Sequence, residues 1–245
     1  MDATTSGTTF FSLPTELRLQ IAACILHQSD NVGILQPNKE SRIDPTFDPA
    51  SNLSILLVCR EFHRDFANIA YQMTRFFFIG PQMLVPLRAP DRKLQNLRKV
   101  VVNAHWPYID DWHMYPFNKE CIALQELSVI LLPYNDHVIS SATSLLHRLQ
   151  NVQKIRIFPS VGNYQLTYGQ LVGAMYKDDH YHRYDVQGAP IVQKTWWEPR
   201  FNSCDTSFDF EICEAEPVMA EEDYMVMMKP KIDEIMEWMS KWSIL

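Results

Sequence analysis

Glycine is scarce in this chain, at seven of 245 residues, so flexible glycine-rich linkers are not expected. Phosphate-cradling loops need glycines at fixed spacing, and neither GxGxxG nor GxxxxGKS/T occurs. The GxSxG nucleophile elbow is missing, and no CxxC or HExxH spacing offers metal ligands. The five cysteines (Cys24, Cys59, Cys121, Cys204 and Cys213) form an odd set; Cys24 and Cys59 lie in apolar helical patterns, which predicts free, buried thiols. No apolar run is long enough to cross a bilayer. The opening MDATTSGTTFF carries an acid where a signal peptide carries bases, so a cytoplasmic or nuclear location is expected. Bases are outnumbered by acids, 22 to 29, and the net charge of −7 repels phosphate backbones. Asp110 and Asp111 are neighbours that do not converge on one point, so they are no acid–base pair. The expectation is a non-enzymatic protein that needs no cofactor and no metal and binds neither nucleic acid nor membrane.

What is present is an ordinary globular balance, with 47% hydrophobic and 21% charged residues. Residues 1–9 are small and polar and read as a disordered start. Pro14 and Glu16 suit the first turn of a helix, and Leu13, Leu17, Ile21 and Ile25 then recur every fourth residue, predicting an amphipathic helix over 14–27. Proline, glycine, asparagine and aspartate break the pattern over 28–52, a long insert expected to be mobile or docked on the surface. Ile55, Cys59, Phe62, Phe66, Ile69 and Met73 restore helical spacing and predict one helix over 53–73.

Leu13-Pro14-x-Glu16-Leu17-x-x-x-Ile21, followed after the insert by Leu56-Leu57-Val58-Cys59-Arg60-Glu61-Phe62, resembles the F-box. The Leu-Pro-x-Glu-Leu-Arg form with a later Val-Cys-Arg is similar to a group of fungal F-box-like proteins. The resemblance covers residues 10–75, a quarter of the chain. It implies a small hooked helical bundle that docks a Skp-type adaptor of a cullin–RING ubiquitin ligase. Leu13, Pro14, Leu17, Ile21, Val58, Cys59 and Phe62 would then form the adaptor surface. The pattern departs from the family in its long insert, in lacking an evident middle helix, and in placing Phe62 near a position where the family carries Trp. The same apolar stripe can equally serve as internal core. An F-box-derived scaffold without ligase role, and a hydrolase-like α/β domain, are the alternatives.

The remainder, 76–245, reads as an α+β or α/β body on which the head packs. Leu94-Gln95, Leu124-Gln125 and Leu149-Gln150 each open a similar segment, at offsets of 30 and 25 residues. Alternating aliphatics predict strands near 97–102, 127–132 and 152–157, and the whole resembles a degenerate leucine-rich repeat with a mixed sheet backed by helices. Trp106, Tyr108, Trp112 and Tyr115 lie in a proline-bounded loop. Such a loop either binds a target protein or plugs the core with its rings.

Further on, 166–176 predicts a helix and 207–212 a strand. Asp178, Asp179, His180, His182 and Asp185 read as a polar loop, the two histidines falling on one side if extended. Glu211, Glu214, Glu216, Glu221, Glu222 and Asp223 form an acidic stretch, either solvated or a strip for a basic partner. A last helix over 221–243 carries Ile232, Ile235, Met236, Met239 and Trp242 in a stripe. Its methionines suit packing or an adaptable binding face.

Overall fold

A computed structural model describes residues 9–36, 42–78, 94–104, 123–131, 136–149, 151–159, 164–192 and 195–243. Most of the predicted disordered start therefore lies outside the described residues. Pro14 stands at the cap of α1 (Thr15–Leu26), where a missing N–H costs no helical hydrogen bond, and Glu16 lies in the first turn.

The single helix expected over 53–73 is corrected by the structure. The segment divides into α2 (Ala50–Leu53), a 3-10 turn over Ser54–Leu57, and α3 (Arg60–Met73). The break falls at Cys59, which is extended at φ −163° and ψ 171°. The cause lies in the run Ile55-Leu56-Leu57-Val58, whose four consecutive apolar residues cannot share one helical face. The turn buries Leu56 and leaves Leu57 and Val58 outside.

α1 and α3 pack together around Ala22, Leu26, Leu56, Phe66 and Ala70. Phe10 stacks on Phe62 at 5.4 Å, and Phe11 meets the same ring edge-on at 5.2 Å. Arg18 of α1 donates to Asp65 of α3, whose carboxyl is held below its usual range by hydrogen bonds from Arg64 and Arg18.

Thr74 alone separates α3 from β1 (Arg75–Phe78). β2 (Lys99–Ala104), β3 (Leu124–Leu131), β4 (Val152–Pro159), β5 (Thr195–Asn202) and β6 (Ser207–Glu214) complete a sheet ordered β1-β2-β3-β4-β6-β5. β1 to β4 are parallel and in chain order, while β6 is antiparallel to both β4 and β5. With α4 (Asp136–Arg148), α5 (Tyr164–His180) and α6 (Glu221–Trp242), the described residues hold six α-helices and a six-stranded mixed sheet, an α+β or α/β architecture.

The strand register differs from the one the Leu-Gln similarity suggests. Val100 pairs with Leu127 and Leu127 with Ile155, offsets of 27 and 28 residues. Leu94-Gln95 sits in a 3-10 turn whereas Leu124-Gln125 lies inside β3, so the dipeptide marks no common structural position.

Strand residues alternate between two faces. Leu127, Val129, Ile155, Ile157, Phe208 and Phe210 pack on Leu145, Leu171, Val172 and Met175 of the helices to form the main core. Trp197 also turns that way, and its indole donates to the Leu146 carbonyl at 2.8 Å. On the opposite face Val101, Ile130 and Phe158 are covered by Ile34, Ile43 and Phe77, the first two from the insert. The insert is thus docked on the back of the sheet in its described parts. Gly33 makes this possible: its φ of +76° suits glycine, and a Cβ there would stand 2.5 Å from the Phe77 ring.

Three buried arginines fasten that docking. Arg156 of β4 donates to the Asp30 carbonyl and to Asn31, both at 2.9 Å, and pairs with Asp205 and Asp209. Arg42 reaches the Asp205 carbonyl at 2.9 Å. Arg75 pairs with Glu126 at 2.7 Å and also donates to the Asp30 carbonyl. Burial lowers the pKa of Arg42 and Arg75; at Arg156 burial acts the same way but Asp209, Glu126 and Asp205 outweigh it.

Candidate partner-docking surface

α1 carries apolar residues on two sides. Ala22 and Leu26 face α3 and are buried. Leu17, Ile21 and Ile25 follow one another at four-residue intervals on the remaining side, with exposures of 46%, 38% and 66%. Four-residue spacing keeps them on one strip about 12 Å long. In the turn before α3, Leu57 is 86% exposed and Val58 65%. Large aliphatics gain about 1.5–3 kcal/mol each on full burial, so a partner that covers this strip has a substantial apolar driving force to draw on.

The seven residues named by the F-box resemblance do not share one environment. Pro14, Leu17, Ile21, Val58 and Cys59 are exposed, and Leu13 is half-buried. Phe62 is used inside the head, among Phe10, Phe11 and Phe66. Ile25 and Leu57 extend the exposed surface beyond that set. Ile25 was legible as the last member of the four-residue stripe, whereas Leu57 depended on the break at Cys59. The thiols expected to be buried are not: Cys24, Cys59 and Cys204 are exposed and Cys213 is half-buried. Cys24 belongs to the outward side of α1, and Cys59 stands at the exposed break before α3. Trp106, Tyr108, Trp112 and Tyr115 lie outside the described residues, as does Cys121.

The histidine-rich segment is helical where an extended or loop conformation was expected, since α5 continues into a π-helical turn over Tyr181–Asp185. The two histidines face different partners. His180 lies 3.2 Å from Glu221 and 3.3 Å from Asp185, while His182 turns to Asp178 at 3.3 Å. Asp178 also meets Nε2 of His147 on α4. Among the described residues no group of three or more His, Cys, Asp or Glu is placed to hold a metal ion. Nor is any described helix long and apolar enough to cross a membrane.

Burial lowers the His147 pKa, against the opposing attraction of Asp178. A histidine kept neutral in the fold takes up its proton more readily once unfolded, so acid favours the unfolded chain. Stability is therefore full above about pH 6.5, the ordinary histidine pKa, and declines as pH falls through it toward the lowered folded value. His147→Gln is expected to flatten that part of the curve. Thermal melts of both proteins on either side of that pH check this; equal slopes would remove His147 from the account.

Comparison with known protein families, with curated proteins and with solved structures gives no match.

Proposed function

We propose that the chain is a non-enzymatic, F-box-like substrate receptor whose helical head docks a Skp-type adaptor of a cullin–RING ubiquitin ligase. The observation that carries this reading is the exposed strip Leu17, Ile21 and Ile25 on a helix whose opposite side is already packed. A soluble head has no internal use for large aliphatics on its outer side, and such a strip marks a surface made to be covered. Pro14, Val58 and Cys59, exposed as well, stand where the Leu-Pro and Val-Cys-Arg motifs suggest contact. The role is positional: the head holds the ligase, the body holds a target, and the chain does no chemistry of its own.

Mixing the purified chain with a Skp-type adaptor is expected to give a co-eluting complex in size-exclusion chromatography. The double variant Leu17→Asp, Ile21→Asp is expected to abolish it. Both positions are exposed, so the variant should keep its circular dichroism spectrum and lose no more than about 0.5 kcal/mol per site. A folded wild-type chain that forms no complex sinks the proposal. The protein would then be an interaction scaffold that keeps only the shape of the head.

A further inference from the structure

A trough of about 980 Å³ runs over the outer side of α5, with α4 and α6 as its walls. Its floor is low because Gly173 and Ala174 stand there. A glycine inside a helix is unfavourable relative to other residues, and it usually has a packing reason. Gly169 has one: a Cβ there would stand 2.5 Å from Cγ of Met239. Gly173 has none among the described residues, since a Cβ added to it would meet nothing within 4 Å there. The chain keeps space above Gly173 that its own described residues do not fill. Thr143 on the facing wall is only 6% exposed, and its hydroxyl has no hydrogen-bond partner among the described residues.

The trough is chemically polarised. One end is apolar, lined by Ile139, Ile235, Met236 and Met239, and Met236 is 62% exposed on its rim. At the other end the lining carries Asp178 and Asp185, and beside it Glu221, at the start of α6, joins Asp185 on His180. Among the described residues Lys177 is the one lysine or arginine on the lining, and His147 and His182 there are engaged by Asp178. Two helical walls over a small-residue floor reproduce the seat that one helix offers another, and methionine side chains adapt to varied apolar surfaces.

We infer that this trough receives an amphipathic helix from a partner protein, its apolar stripe over Gly173 and the methionines and its lysine- or arginine-bearing end against the acidic end. Charge complementarity sets the direction of the bound helix, and the depth over Gly173 sets how closely it approaches. The surface lies on the body and is separate from α1, so it stands or falls independently of adaptor docking. If both hold, it is where a target would be read.

A phage-displayed library of single-helix peptides, randomised along one apolar stripe and at both charged ends, tests this against the chain alone. Enriched clones are expected to show helical apolar periodicity and bases at one end. At Gly173 a Cβ meets none of the described atoms, and leucine favours a helix more than glycine does, so Gly173→Leu should fold with an equal or higher Tm. It should weaken those clones by about tenfold or more, as blocking the centre of an interface does. Met236→Lys, at an exposed rim position, provides a second variant expected to act in the same direction. Absence of periodic clones, or clones that bind Gly173→Leu as well as wild type, overturns the inference. A small molecule seen by native mass spectrometry on the wild-type chain and lost in Gly173→Leu would overturn it in favour of a small ligand.

Discussion

Replacing Arg156 with alanine is expected to destabilise the chain by about 3–5 kcal/mol, the range seen when one partner of a buried ion pair is removed. Arg156 is 2% exposed. Its guanidinium stands over the Phe158 ring at 4.9 Å and engages Asp205 and Asp209 on one side and Asp30 and Asn31 on the other. Alanine leaves both carboxylates buried. Asp209 keeps Lys154 at 3.0 Å and the Ser207 hydroxyl, whereas the Asp205 carboxylate keeps the Ser207 N–H and the nearby charge of Arg42. The insert loses two of its anchors in the same step, so limited proteolysis between residues 28 and 49 should accelerate. Arg156→Lys is expected to fall between alanine and wild type, because it restores the charge but not the planar fork that serves several acceptors at once. Urea unfolding of the three proteins measures the series, and a cost below about 1 kcal/mol for alanine would show that the network contributes little.

Phe66→Ala is expected to cost a similar amount, about 3–5 kcal/mol, but for a different reason. Phe66 is fully buried at the centre of the head and lies 5.2 Å from the Phe62 ring and 5.9 Å from Phe10. Its removal opens a cavity that the neighbouring rings fill only in part. The head core has few other fully buried members (Ala22, Leu26, Leu56 and Ala70), so the contact of α1 with α3 falls to half-buried residues such as Leu19 and Phe62 and to the Arg18–Asp65 pair. Chemical denaturation should show the loss, and, if the proposed adaptor docks, its co-elution should weaken with it because the exposed strip depends on the position of α1. Phe62→Ala should cost less, since that ring is already half-exposed. Equal costs at the two sites would contradict the burial that separates them.

The helical periodicity of 14–27 and the alternation of Val100 to Val102, Ile155 and Ile157 placed most of the architecture within reach of the sequence. The break before α3 was hidden because Ile55, Cys59, Phe62 and Phe66 keep a four- or three-residue step across it. Hydrophobicity does not report that Cys59 is extended. Docking was one of the two expectations for the insert, but the face that receives it was hidden for another reason. Glu126, Ser128, Arg156 and Asp209 alternate with apolar residues, a pattern that suits the solvent side of strands, and Arg75 opens β1. They are buried, since each finds a charged or hydrogen-bonding partner, Arg75 with Glu126 and Arg156 with Asp209 between strands and Ser128 with Glu126 along β3. For the candidate docking surface, Leu17 and Ile21 were legible as a stripe but not as an outward one. Periodicity fixes which residues share a face, and only the position of α3 decides which face is covered.

The junction between α3 and β1 has a mechanical consequence. Thr74 is tied to the Ala70 carbonyl at 2.7 Å and receives Asn52 at 2.9 Å, and the Arg75 N–H donates to Gln28 at 2.8 Å. These bonds brace the junction between the two portions. Whatever grips the outer side of α1 holds the sheet at a set angle, like a tool seated in a fixed handle. A cargo carried on the far helices would then be presented along one bearing instead of sweeping a cone.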